Sequence, residues 1–143
     1  MTLEQQLHDA LLADFGVAAF IGDRLYLVQL PQNPVYPAAT YQRISTAPLY
    51  VHKLGGVQGQ VGWARFQITG WFSGSSSGSQ SDGFARAVLA AIQTFNAFAL
   101  PGSPSVLTQA PNYILSRRMQ VEPNTQPPVF KAILDVKLWY RDQ

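Results

Sequence analysis

The two histidines, His8 and His52, are the first residues to test for chemistry, because an imidazole can ligate a metal or move a proton near neutral pH. Neither has a second histidine or a carboxylate at metal-ligand spacing. Asp9, beside His8, points about 100° away around a helix, so the two form a surface pair and not a chelate. The chain has no cysteine, which removes thiolate catalysis, disulfides and thiolate metal sites together. Glu122 and Asp135 lie in separate strand patterns, and one carboxylate on each is too little for an acid and base pair. The serines of "SGSSSGSQSDG", residues 73–83, sit in a flexible stretch, whereas a nucleophile needs a rigid mount. That stretch follows a strand and precedes a helix, as a phosphate loop does. Gly74 and Gly78 are nevertheless wrongly spaced, and no lysine follows to neutralise a phosphate. The sequence points to no catalytic residue, no metal site, no cofactor and no enzyme.

Contact chemistry is better represented. Residues 47–62, "APLYVHKLGGVQGQVG", hold glycines at 55, 56, 59 and 62 and one proline between two strand patterns. Long connections without a core of their own tend to be functional, so Tyr50, His52 and Lys53 are candidate contact residues. Trp63 and Arg65, at the start of the next strand, join them. Trp71 shares their strand face, and the two indoles either form a base-stacking platform or cover a helix or a neighbouring subunit. Arg117 and Arg118 fall on opposite faces of a regular strand and read as solvated.

These residues need a frame. At 143 residues the chain has the size of one domain, 1–143, since two cores of about 70 residues would each be near the lower limit. Apolar residues make up 47% and charged residues only 13%, a weakly charged surface of the sort that meets another protein. Ten Lys and Arg against eight Asp and Glu leave a net charge of +2 with no basic run. The N-terminus lacks the basic and apolar pattern of a signal peptide, and no apolar run of about 18 residues exists, so a soluble, intracellularly made protein without a membrane partner is expected.

Thr2 and Gln5 make a capping box, and Leu3, Leu7, Ala10 and Leu11 recur at helical spacing up to Asp14 or Gly16. "VAAFIGDRLYLVQLP" then predicts a short apolar turn and a strand stopped by Pro31, and "LPQNPVYPAA" an extended loop. "TYQRIST" and "WARFQITGWF" predict two strands, the latter with Ala64, Phe66, Ile68 and Phe72 facing one way and Trp63, Arg65, Gln67, Thr69 and Trp71 the other. The Gly/Ser stretch 73–81 predicts a flexible connection, with Ser79, Ser81 and Asp82 as candidate N-caps of a helix bearing Phe84, Val88, Ala91 and Phe95. "SVLTQA", "NYILSRRMQVE" and the alternating "VFKAILDVKLWY" predict three more strands. The order helix, three strands, helix, three strands predicts an α+β domain with a largely antiparallel sheet and two helices packed on one face.

The chain as a whole resembles the tail-completion, or tail-terminator, family of long-tailed bacteriophages and prophages. The residues that carry this are the first helix leading into "GDRLYLVQLPQ", then "PAATYQRIS", the strand "FQITGWF", the helix "DGFARAVLAAI" and the closing "ILDVKLWYRD". "SGSSSGSQS" departs from the shorter polar junction such a chain would carry. The resemblance implies a structural virion protein of the tail and neck, made in the host bacterial cytoplasm. It would cap the head-proximal end of the tail tube as a homo-oligomeric ring, usually a hexamer, and join the tail to the head-completion (connector) protein. Its partners would be other copies of itself, the tail tube protein and the connector, with DNA passing through the channel without specific binding. The alternative is a nucleic-acid-binding module of a phage or prophage, which would need the Lys and Arg residues clustered.

Overall fold

The computed structural model describes residues 3–50, 60–74, 77–94, 98–99, 113–122 and 129–142. Its elements in chain order are α1 (Leu3–Ala13), α2 (Phe15–Ile21), β1 (Leu25–Leu27), β2 (Ala38–Tyr50), β3 (Gln60–Ser73), α3 (Ser77–Thr94), β4 (Phe98–Ala99), β5 (Tyr113–Glu122) and β6 (Val129–Asp142). This is an α+β fold, with three helices where the sequence predicted two.

The additional helix is the segment read as an apolar turn. Asp14 breaks α1 from α2 with an extended backbone, and its Oδ1 accepts the Val17 N–H at 3.1 Å, which caps the new helix. Val17 and Ile21, one turn apart, are buried, and Gly22 ends the helix at φ +61° with its N–H on the Ala18 carbonyl. A cap at one end, a left-handed glycine at the other and a buried i, i+4 pair between them suffice for two turns.

The sheet is mixed, correcting part of the expected antiparallel character. Its order is β1-β2-β3-β6, and the far side of β6 is shared end to end by β5 and β4, so it is five strands wide. The β2, β3, β6 and β5 neighbours are antiparallel, while β1 lies parallel to β2 and β4 parallel to β6. The parallel start follows from the proline-bearing loop, which carries the chain back beside the beginning of β1. Arg24 Nε donates to the Pro37 carbonyl at 2.7 Å and the Ala39 N–H to the Arg24 carbonyl at 2.9 Å, holding the two strand starts together.

Strand pairing also reaches into the two segments read as connections. β2 and β3 pair through Tyr50↔Gln60, so the ends of 47–62 belong to the hairpin and 51–59 lies outside the described residues. β3 ends at Ser73, and α3 already runs from Ser77, so Ser79, Ser81 and Asp82 lie inside the helix and do not cap it. "SVLTQA" and Phe95 lie outside the described residues.

All three helices cover one face of the sheet. Leu7 and Leu11 of α1, Val17 and Ile21 of α2, and Phe84, Val88, Ala91 and Ile92 of α3 form one cluster with Phe66, Ile68, Phe72, Leu134, Val136 and Leu138. Phe20, Phe72 and Phe84 meet edge to face, with centroids 5.6–6.5 Å apart. Gly70 makes room for this: a Cβ there would lie 2.6 Å from the Phe84 ring.

Candidate interaction surface

Because strand side chains alternate, packing Phe66, Ile68, Leu134 and Val136 under the helices turns Trp63, Arg65, Gln67, Thr69 and Trp71 of β3 to the opposite face. Lys131, Ile133, Asp135 and Lys137 of β6 lie beside them. No described helix covers this face, yet most of it is half-buried, because its long side chains lie down on one another.

The β3–β6 register sets Arg65 directly opposite Lys137, two like charges, and Trp71 directly opposite Lys131. Arg65 leans diagonally to Asp135, its Nη2 donating to Oδ2 at 3.1 Å, while the Lys137 ammonium sits 4.8 Å from the centroid of Trp63. Ser116 of β5, opposite Asp135, donates its hydroxyl to the same Oδ2 at 2.7 Å. Burial pushes the Asp135 carboxyl up. The Ser116 hydrogen bond, the Arg65 hydrogen bond and charge, and the charge of Arg118 outweigh it and hold the group below the usual carboxylate range. At the other end of the face Lys131 sits 4.7 Å over Trp71 and pairs with Glu122, and Trp71 Nε1 donates to Thr40 Oγ1 at 3.4 Å.

On the helix side, α1 and β2 frame an open depression of about 460 Å³ lined by Gln5, His8, Asp9 and Tyr41. His8 Nδ1 lies 3.2 Å from Asp9, a surface pair as its position predicts. Burial, and then the charges of Glu4 and Asp9, push the Tyr41 hydroxyl up, so it stays protonated and is no nucleophile. Among the described residues no three of His, Cys, Asp and Glu are placed to hold a metal, and no helix is long and apolar enough to cross a membrane.

Of the residues singled out from sequence, the structure brings Trp63 and Arg65 together on the open face. The backbone of Tyr50 closes the β2–β3 ladder opposite Gln60, while His52 and Lys53 lie outside the described residues. Asp135, Ser116, Lys131 and Lys137 complete the face and were not singled out as its members. Their one sequence signal is an acid at the centre of an alternating strand, and its partners come from strands far away in the chain. The stacking-platform alternative meets an obstacle here: each of Trp63 and Trp71 already carries a lysine of its own.

The molecule is thus an α+β subunit with helices on one side of a sheet and a polar and aromatic open face on the other. The chain belongs to the tail completion protein gp17 family, whose model matches residues 5–141. The family resemblance read from the sequence is therefore borne out, and the chain is a structural protein of phage-type tails. Among solved structures, a chain of the virion of a native gene transfer agent particle has the same fold, with a TM-score of 0.57 at 14% identity over 98% of this chain and 95% of that one. None of the curated proteins compared matches the sequence.

Proposed function

We propose that this chain caps the head-proximal end of a tail tube as a ring, most simply a hexamer, and joins the tail to the connector proteins of the head. The observation that carries the proposal is the family match over residues 5–141. The likeness of fold to a chain from a gene transfer agent virion supports the same setting. Support from the structure is a sheet face with no covering helix among the described residues, bearing Trp63 and Arg65 near the end of the β2–β3 hairpin that the Tyr50 backbone closes. That hairpin and face are the proposed contact with the tube protein.

Specific DNA binding fits the molecule less well. Arg43, Arg65, Arg86, Arg117 and Lys131 each have a carboxylate partner, which leaves no concentrated basic stripe among the described residues.

The test is native mass spectrometry of the purified chain over a wide concentration range, followed by imaging with tail tubes. A six-fold species that seats on tube ends is expected. A chain that stays monomeric alone and in the presence of tubes would overturn the proposal.

A further inference from the structure

Among the described residues the sheet has two unpaired edges, and they suit each other. β1 covers β2 only from Ala39 to Tyr41, so from Gln42 onward β2 has no strand on its outer side among the described residues. The Ala39 N–H and the Tyr41 carbonyl point toward β1, and by alternation the backbone groups of Arg43 point the same way, past the end of that strand. At the other end of the sheet no strand among the described residues lies on the outer side of β5. Both edges display apolar side chains, Ile44 on β2 and Met119 and Val121 on β5, each about half exposed. The edges are only partly protected. Arg43 and Pro48, which has no N–H to offer, lie on β2, and Arg117, Arg118 and Glu122 on β5, while Ile44, Ser45 and Thr46 and Met119, Gln120 and Val121 between them include no charge and no proline. Each strand has one bulge, between Arg43 and Ser45 and between Ile114 and Ser116, which leaves 45–50 and 116–122 as regular ladder.

Strand direction decides the occupant. β2 runs antiparallel to β3, β3 to β6 and β6 to β5, so β5 is antiparallel to β2 of its own chain. Two copies placed side by side in the same orientation therefore bring β5 of one antiparallel to β2 of the next, the pairing that completes both ladders. A copy related by a two-fold axis would match like edges, and only the rotational arrangement uses both.

We propose that the free edge of β2, from Gln42, and the free edge of β5 are the two halves of a head-to-tail interface between copies of this chain, joining their sheets into one. The proposal rests on the ring reading above and names the surface that closes the ring. The neighbour's β5 takes the column that β1 begins, so each copy adds four strand positions, β2, β3, β6 and β5; at about 4.8 Å each they give about 19 Å, and six copies make a barrel about 115 Å around and about 37 Å across before strand tilt widens it.

The lack of cysteine gives the test a clean background. Ser45→Cys on β2 and Gln120→Cys on β5, exposed positions on the same face of the sheet opposite Arg65 and Lys131, are made singly and together and treated with a short thiol-to-thiol crosslinker. The double variant should give a ladder of covalent oligomers and each single variant none, because like edges never meet. Met119→Lys with Val121→Lys should weaken association about tenfold or more while the monomer keeps its melting temperature. Rings seen by native mass spectrometry without a crosslinked ladder would overturn the edge pairing and leave the ring reading standing. A monomer at every concentration, with no ladder in assembled particles either, would overturn both.

Discussion

Arg65 and Lys137 stand directly opposite each other in the β3–β6 register and do not repel across it, because each turns to a different diagonal partner. Arg65 reaches Asp135 at 3.1 Å, and Lys137 covers the Trp63 ring at 4.8 Å. Two positive charges side by side would destabilise the ladder. Here one is neutralised by a buried acid and the other lies on the negative face of an indole. The face is thereby tied into a single arrangement without any helix of the described residues above it.

Asp135 is the keystone of that arrangement. Its side chain is 9% exposed and accepts from both Ser116 and Arg65. Asp135→Asn should lower stability by about 1–3 kcal/mol, and Ser116→Ala by about 1 kcal/mol, since the second variant removes one hydrogen bond but leaves the charge pair. Urea midpoints at unchanged slope measure both. Equal losses in the two variants would show that the charge of Asp135 contributes nothing.

The pH dependence follows from the same group. Burial opposes ionisation of Asp135, but Ser116 and Arg65 overcome it and the folded-state pKa lies below the unfolded value. Below its folded pKa the group is protonated in both states and contributes nothing. Its contribution is full above the unfolded value of about 3.9 and is lost as pH falls through the depressed folded value. Glu4, depressed through Arg43 despite its burial, acts in the same direction. Thermal melts of the wild type should therefore fall steeply below about pH 4, and the fall should be shallower in Asp135→Asn.

Gly70 tests the helix side. Its Cβ position is 2.6 Å from Phe84 and 2.9 Å from Phe72, both ring atoms of fully buried side chains that have little room to retreat. Gly70→Ala should cost about 1–3 kcal/mol. Adding Phe84→Leu, which removes the obstructing ring, should make the double variant less unstable than the sum of the two single effects. A strictly additive pair would mean that the contact is not the cause.

How far such features were legible depended on whether their cause was local. The alternation of β3 and β6 is written in neighbouring residues, and both strands keep the faces it predicts, with Phe66 and Leu134 in the core and Arg65 and Asp135 opposite. α2 was misread because Gly16 and the run Val17 to Phe20 look like a turn, while the deciding feature is one hydrogen bond from Asp14 Oδ1 to the Val17 N–H. The length of β2 was misread because glycines suggest a loop wherever they fall, although the partner that extends a strand is another strand. The Arg65, Asp135 and Ser116 group was not legible at all. It joins β3, β6 and β5 through a register that only the folded sheet defines.

The open face separates stability from assembly. Lys137 and Trp63 pack on each other on the open face, and neither is a member of the core cluster, so replacing them should leave the fold of the monomer in place. A half-buried cation over an indole is worth about 0.5–2 kcal/mol, and Lys137→Ala should lower the unfolding free energy by an amount of that order. If this face meets the tube protein, Trp63→Ala removes a large, fairly rigid contact area and should abolish the joining of heads to tails while the variant stays folded. Far-ultraviolet circular dichroism and a urea titration report the first property, and electron microscopy of the joined and unjoined particles reports the second. Loss of fold together with loss of joining would make Trp63 a structural residue. Normal joining by a folded Trp63→Ala protein would remove this part of the face from the contact and leave Tyr50, His52 and Lys53 as the residues to test next.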